Sequence, residues 1–172
     1  LRDAGKVREA FELLDTRLAA QPEQPELLYE SALLAEKLGR QDVLETNLRK
    51  LIRIKPDHAH AYNALGYSLA ERNQRLAEAE QLIAKALQLS PDDPFITDSM
   101  GWVLYRKGDT AGALTYLQRA YSIRPDPEIA AHLGEVLWVV GRRDEAKKTW
   151  QEAAKAHPGN EVLTEVIKHF SP

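Results

Sequence analysis

Residues 92–125 read DDPFITDSMGWVLYRKGDTAGALTYLQRAYSIRP, and the fold follows from how this stretch is punctuated. Asp93 then Pro94 is an N-cap residue followed by proline at the first helical position, where its missing N–H costs nothing. The spacing predicts a first helix (A) over 94–107, a turn at Gly108 and a second helix (B) over 110–123. Pro125 ends the unit, because helix B cannot run through it and the residue before it is pushed out of the α region.

The same unit recurs in both directions. Prolines at 22, 56, 91, 125 and 158 are separated by 34, 35, 34 and 33 residues. Ala32, Gly66 and Gly101 follow three of them by ten residues, Gly134 follows the fourth by nine, and Ala10, Ala79, Ala113 and Ala146 precede most of them by twelve. The other A helices are expected near 25–38, 59–72 and 127–140, and the other B helices near 7–20, 41–54, 76–89 and 143–156. This is the period of a helical repeat, an all-α solenoid of about four two-helix units. Glycine inside a helix costs about 1 kcal/mol against alanine, so its recurrence at 66, 101 and 134 implies that helix B crosses helix A where no side chain fits.

A chain of 172 residues with 44% apolar and 28% charged residues can bury a core, so disorder is not expected. Acidic residues outnumber basic ones 26 to 23, and the run Arg49, Lys50, Arg53, Lys55 reads as a solvated helix face, so nucleic acid is not an expected partner. There is no cysteine, which excludes disulfides and thiolate metal sites and leaves the compartment open. Charges interrupt every apolar stretch, so direct membrane insertion is not expected.

These residues resemble the tetratricopeptide repeat (TPR) family. Its small residue in helix A matches Ala32, Gly66, Gly101 and Gly134, and its turn glycine matches Gly5, Gly39, Gly108 and Gly141. Its helix B alanine matches Ala10, Ala113 and Ala146, with Ala79 after a one-residue insertion near Gln74. Thr97 and Leu44 depart from the pattern, and one residue is missing between Pro125 and Gly134. The resemblance implies a right-handed superhelix, with a partial repeat at 1–22, full repeats at 23–56, 57–91, 92–125 and 126–158, and a capping helix at 159–172, as a single domain.

More narrowly, NALGYSLAERN (63–73), DSMGWVLYRKGD (98–109) and PEIAAHLGEVLWVVGRRDEA (127–146) are similar to the C-terminal repeats of a proteobacterial outer-membrane lipoprotein family. That resemblance implies an adaptor tethering a carboxy-terminal-processing protease and presenting cell-wall hydrolases to it. The implied location is the periplasm, on a parent anchored to the outer membrane; the cytoplasm stays open.

In the TPR family one stripe of helix A lines the concave surface. Here the stripe supplies Tyr29 and Leu33, then Asn63 and Tyr67, then Phe95, Asp98, Trp102 and Tyr105, then Glu135 and Trp138. Leu65, Leu69, Met100, Leu104, Leu133 and Leu137 already serve packing, so Tyr67, Trp102, Tyr105 and Trp138 read as surplus rings that anchor a partner peptide. The alternative is that they pack against the next A helix. Trp150 reads as core. The family's two-carboxylate clamp is absent, since Tyr29, Leu33, Ala64, Phe95 and Ser99 stand in its places.

Residues 160–170 place Val162, Leu163, Val166, Ile167 and Phe170 on one stripe, which reads as a solenoid cap near the native C-terminus. At the other end, residues 1–4 read as the remnant of a helix A with Gly5 at its turn. The chain is therefore expected to be a fragment of a longer protein, with Phe11, Leu14 and Leu18 left to fray or self-associate. His58 and His60 are not on a shared helical face and read as a surface pair, while His132, His157 and His169 stand alone. No catalytic residue, metal site or cofactor is expected. The function expected is noncatalytic protein or peptide binding; the alternatives are the recognition arm of a larger enzyme or a self-assembling spacer.

Overall fold

The computed structural model describes residues 2–171. They form α1 (Arg2–Ala20), α2 (Pro25–Lys37), α3 (Gln41–Ile54), α4 (Ala59–Glu71), α5 (Leu76–Leu89), α6 (Pro94–Arg106), α7 (Thr110–Ile123), α8 (Pro127–Val139), α9 (Arg143–Ala156) and α10 (Glu161–Phe170), with no strand among them. Each even-numbered helix from α2 to α8 is an A helix, and the odd-numbered one after it is its B partner.

The starts of the helices are built as their residues dictate. The Asp93 carboxylate accepts from the N–H groups of Phe95 and Ile96 at 2.8 and 3.1 Å, and Asp126, Asp109 and Asn160 accept from Glu128, Gly112 and Leu163 at 2.9, 2.9 and 3.1 Å. Each such cap contributes about 1 kcal/mol. Gly39, Gly108 and Gly141 turn the chain from A to B in the left-handed region, at φ of 71°, 93° and 91°. The inserted residue near Gln74 changes that turn: Asn73 takes the glycine's place at φ 54°, and Arg75 is also left-handed, at φ 44°.

Gly5 departs from its three counterparts. It lies inside α1 and makes no turn, so residues 2–20 are one continuous helix rather than the end of one helix and the start of another. A glycine costs only about 1 kcal/mol within a helix, and among the described residues no A helix packs ahead of it to hold a turn in place. Leu14 is buried, while Phe11 and Leu18 pack half-buried on the core beneath.

The A and B helices interlock at the small residues. A side-chain carbon on Gly66 would lie 2.7 Å from Ile83 Cγ1 and 2.9 Å from the Ala79 carbonyl, and one on Gly101 would lie 2.7 Å from Leu117 Cγ. On Gly134 it would fall within the indole of Trp150, 2.6 Å from Cδ1. The core runs along the stack in three clusters, centred on Leu28, Leu48 and Leu65, on Ile83, Ile96 and Val103, and on Leu117, Val136 and Trp150. Fully burying each such side chain contributes roughly 1.5–3 kcal/mol. The two departures from the repeat pattern are accommodated: Leu44 is buried against Ala32 and its neighbours, and the Thr97 hydroxyl donates to the Asp93 carbonyl at 2.8 Å.

Candidate partner-binding groove

Because the A helices lie side by side, residues a repeat apart come together on one face. Tyr29 and Leu33 of α2, Asn63 and Tyr67 of α4, and Phe95 and Asp98 of α6 line a single pocket of about 240 Å³, closed by Glu128 and His132 of α8. Six of the ten residues expected to form the groove therefore meet there. Leu33 and Phe95 are 40% and 38% exposed, so both offer apolar surface to the pocket. Burial, and then Asp93, push the Tyr29 phenol up, and the Asn63 Oδ1 is buried with no hydrogen-bond partner.

One wall of this pocket is a polar arrangement that sequence reading left unassembled. His132 does not stand alone: its Nδ1 lies 2.9 and 3.0 Å from the two carboxylate oxygens of Asp98, and its Nε2 lies 3.2 Å from the Tyr67 hydroxyl. Its ring stacks on Trp102 at 4.1 Å between centroids, and Trp102 Nε1 donates to Glu71 Oε2 at 2.8 Å. Burial pulls the His132 pKa down, but Asp98, with Glu71 and Glu135 behind it, outweighs burial and the net shift is upward. Burial pushes the Tyr67 phenol well above its ordinary range, with Glu71 and Asp98 adding to it. Both imidazole nitrogens are engaged and the ring is covered, so the group braces the wall.

The surplus assigned to the aromatic rings is corrected in two places. Trp102 is only 4% exposed, held between His132 on one side and the Arg106 guanidinium 5.0 Å from its centroid. Trp138 packs on Trp150 and Phe170, at 5.9 and 6.1 Å, with Arg143 over its ring at 4.8 Å. Both rings fill space that curvature and α10 close off, which is the packing alternative. Tyr105 lies half-buried 5.1 Å from Trp102, its phenol pushed up to about 12 by burial and then Glu135. Trp150 is core, 1% exposed, with Nε1 donating to the Ala131 carbonyl at 3.4 Å.

Glu135 and Trp102 line a second pocket of about 580 Å³, between α6, α8 and α10. Leu163 is the residue of α10 buried in the core, whereas Val162, expected beside it, is 41% exposed at the rim of this pocket. His58 caps α4, its Nδ1 accepting from the Ala61 N–H at 3.0 Å. Among the described residues no three His, Asp or Glu side chains converge as metal ligands, and no helix is long and apolar enough to cross a membrane.

Comparison with known proteins places this geometry among repeats of one kind. Family models described as tetratricopeptide repeat match residues 44–94 and 99–126. A TPR repeat-containing protein of Pseudomonas aeruginosa is 49% identical over 127 residues, 74% of this chain and 22% of that protein. A human protein O-mannosyl-transferase is 24% identical over 173 residues, 95% of this chain and 19% of that one. The chain thus spans about a fifth of the length of these relatives. The crystal structure of a thermophilic TPR protein from Thermus thermophilus superposes with a TM-score of 0.85 at 24% identity, covering 98% of this chain and 92% of that one.

Proposed function

Because the chain is built of tetratricopeptide repeats, folded as a solenoid, we propose that it is a noncatalytic scaffold holding an extended segment of a partner protein in the groove along α2, α4, α6 and α8. The observation that carries this is the pocket assembled from four successive A helices, with Leu33 and Phe95 left open beside the unsatisfied Asn63 amide. Solvated apolar side chains beside a buried polar group are what an extended peptide satisfies, with side chains on the one and backbone on the other.

The finer reading follows from the resemblance of 63–73, 98–109 and 127–146: an adaptor in the periplasm, on a parent anchored to the outer membrane, that holds a carboxy-terminal-processing protease and cell-wall hydrolase substrates. A second reading, the recognition arm of a larger enzyme, is supported by the likeness to an O-mannosyl-transferase of which the chain would be a fifth.

The test is site-specific photocrosslinking in a periplasmic extract, with the crosslinker at Phe95 in the groove or at Ile123 on helix B. Capture of a discrete protein from Phe95 alone, lost in a Leu33→Ala chain, is expected. Equal capture from both positions ends the groove reading, and crosslinks only to a second copy favour the self-assembling spacer.

A further inference from the structure

We propose that the pocket between α6, α8 and α10 takes a lysine or arginine side chain from a basic segment of the partner; this rests on the groove reading and names the chemistry of its occupant. The pocket is lined by four carboxylates, Glu71, Glu135, Glu161 and Glu165, with His132 and His169 and the rings of Trp102 and Phe170 beside them, and no lysine or arginine lines it. It adjoins the groove, since His132 lines both pockets.

No lysine or arginine among the described residues pairs with these four carboxylates, whereas the lysine and arginine ion pairs of the molecule lie along the B helices. Among the described residues each pairing of an Asp or Glu with a Lys or Arg has a member on a B helix: Arg49 and Arg75 with Glu45 and Glu78, Lys107 with Glu80, Arg142 with Glu145, Arg119 with Asp92, Arg40 with Asp42. None of the four pocket carboxylates is in such a pair. The neighbouring Arg106 lies over Trp102 and donates to the backbone carbonyl of Glu71 at 3.3 Å, not to its carboxylate. A cleft in which one sign of charge predominates against apolar walls draws in the opposite charge. His132, at the shared wall, is largely but not fully buried, and burial, which disfavours its charged form, is outweighed by Asp98 with Glu71 and Glu135 behind it.

The chemistry of the walls selects an organic cation. The carboxylates are spread around the opening and no three converge on a point as a divalent ion requires. Phe170, with Val162 and Val166 beside it, suits the aliphatic stem of lysine or arginine, with the charged head among the carboxylates. A pocket of about 580 Å³ has room for such a side chain and adjoining backbone.

The experiment is fluorescence anisotropy with a labelled dodecapeptide of alternating glycine and arginine, its glycine–glutamate counterpart, and spermidine as competitor. Glu161 and Glu165 are exposed on α10, so Glu161→Gln/Glu165→Gln is expected to keep the helical circular dichroism, with Glu165→Lys as a second variant. Saturable binding of the arginine peptide is expected, weakened about tenfold in the double variant, as two partly exposed charge contacts would give. Glu165→Lys should weaken it further, and 0.5 M salt should abolish it. Absence of saturable binding, unchanged affinity in the variants, or equal binding of the glutamate peptide overturns the proposal. Displacement by spermidine at lower concentration than the peptide itself requires would give the pocket to a small amine and overturn it too. If Phe95 still crosslinks a partner while the arginine peptide fails, the cation pocket falls and the groove stands.

Discussion

Replacing Gly134 by alanine sets two effects of opposite sign against each other. In an open helix the change is stabilising by about 1 kcal/mol. Here the new methyl would lie 2.6 Å from Trp150 Cδ1 and closer still to Nε1 and Cε2, so the ring must shift by about 1.5 Å to reach ordinary contact near 3.5 Å. Trp150 has little room to move, being 1% exposed and stacked between Trp138 and Phe170 at 5.9 and 5.8 Å. Overpacking costs about 1–3 kcal/mol, and each weakened ring pair up to about 1 kcal/mol more. The net expectation is a loss of about 2–3 kcal/mol, roughly 5–10 °C in Tm for a chain of this size. Urea unfolding followed by circular dichroism measures it. Gly134→Ala combined with Trp150→Phe should cost at least about 1 kcal/mol less than the two single changes summed, because the smaller ring vacates the contested space. A Gly134→Ala protein as stable as the parent, or additive with Trp150→Phe, would refute the reasoning.

Other outcomes follow from the charged groups and the ends. The folded-state pKa of His132 is raised above its ordinary 6.5, so its stabilising contribution is complete below that value and is lost as pH rises from 6.5 through the folded pKa. The surrounding groups are Tyr67 and Glu71 of α4, Asp98 of α6 and Glu135 of α8. Unfolding free energy measured from pH 6 to 9 should fall in the parent and fall less in His132→Gln; equal slopes would exclude the pair as the cause. Glu45, held at about 2 against an ordinary 4.5, first by Arg75 and then by Arg49, contributes stability above 4.5 that is lost as pH falls through 2. Since the group is partly exposed, Glu45→Gln should cost only about 0.5 kcal/mol at pH 7 and flatten the acid limb; an unchanged limb would contradict it. Hydrogen exchange should be faster in α1, which leans chiefly on α2 and leaves Leu13 54% exposed, than in α5 or α7, which are covered on two sides; equal protection would refute this.

The helices were legible because their punctuation is local. Four B helices fall on the residues expected, 41–54, 76–89, 110–123 and 143–156, bounded in each case by a turn before and a proline shortly after. The A helices each stop one residue early, because Leu38, Arg72, Lys107 and Val140 donate their N–H groups back into the last turn as caps. Gly5 misled because it resembles its counterparts in sequence, yet among the described residues no helix packs ahead of it. That the helix A stripe shares one face was legible, yet how far its rings are buried was not. Whether Trp102 and Trp138 are open depends on how tightly the stack curves and where α10 lands, and neither is written within one repeat. The His132 arrangement was hidden for the same reason, since its partners lie 34 and 65 residues away on two different helices.

The bond from Tyr67 to His132 skips a unit, joining α4 to α8 across α6. A pure nearest-neighbour stack unzips one unit at a time from either end. This clasp couples three successive A helices, so the C-terminal half should melt as a block and resist changes of pitch. The inner radius is then held at one value before any guest arrives, and a guest meets a mould already set.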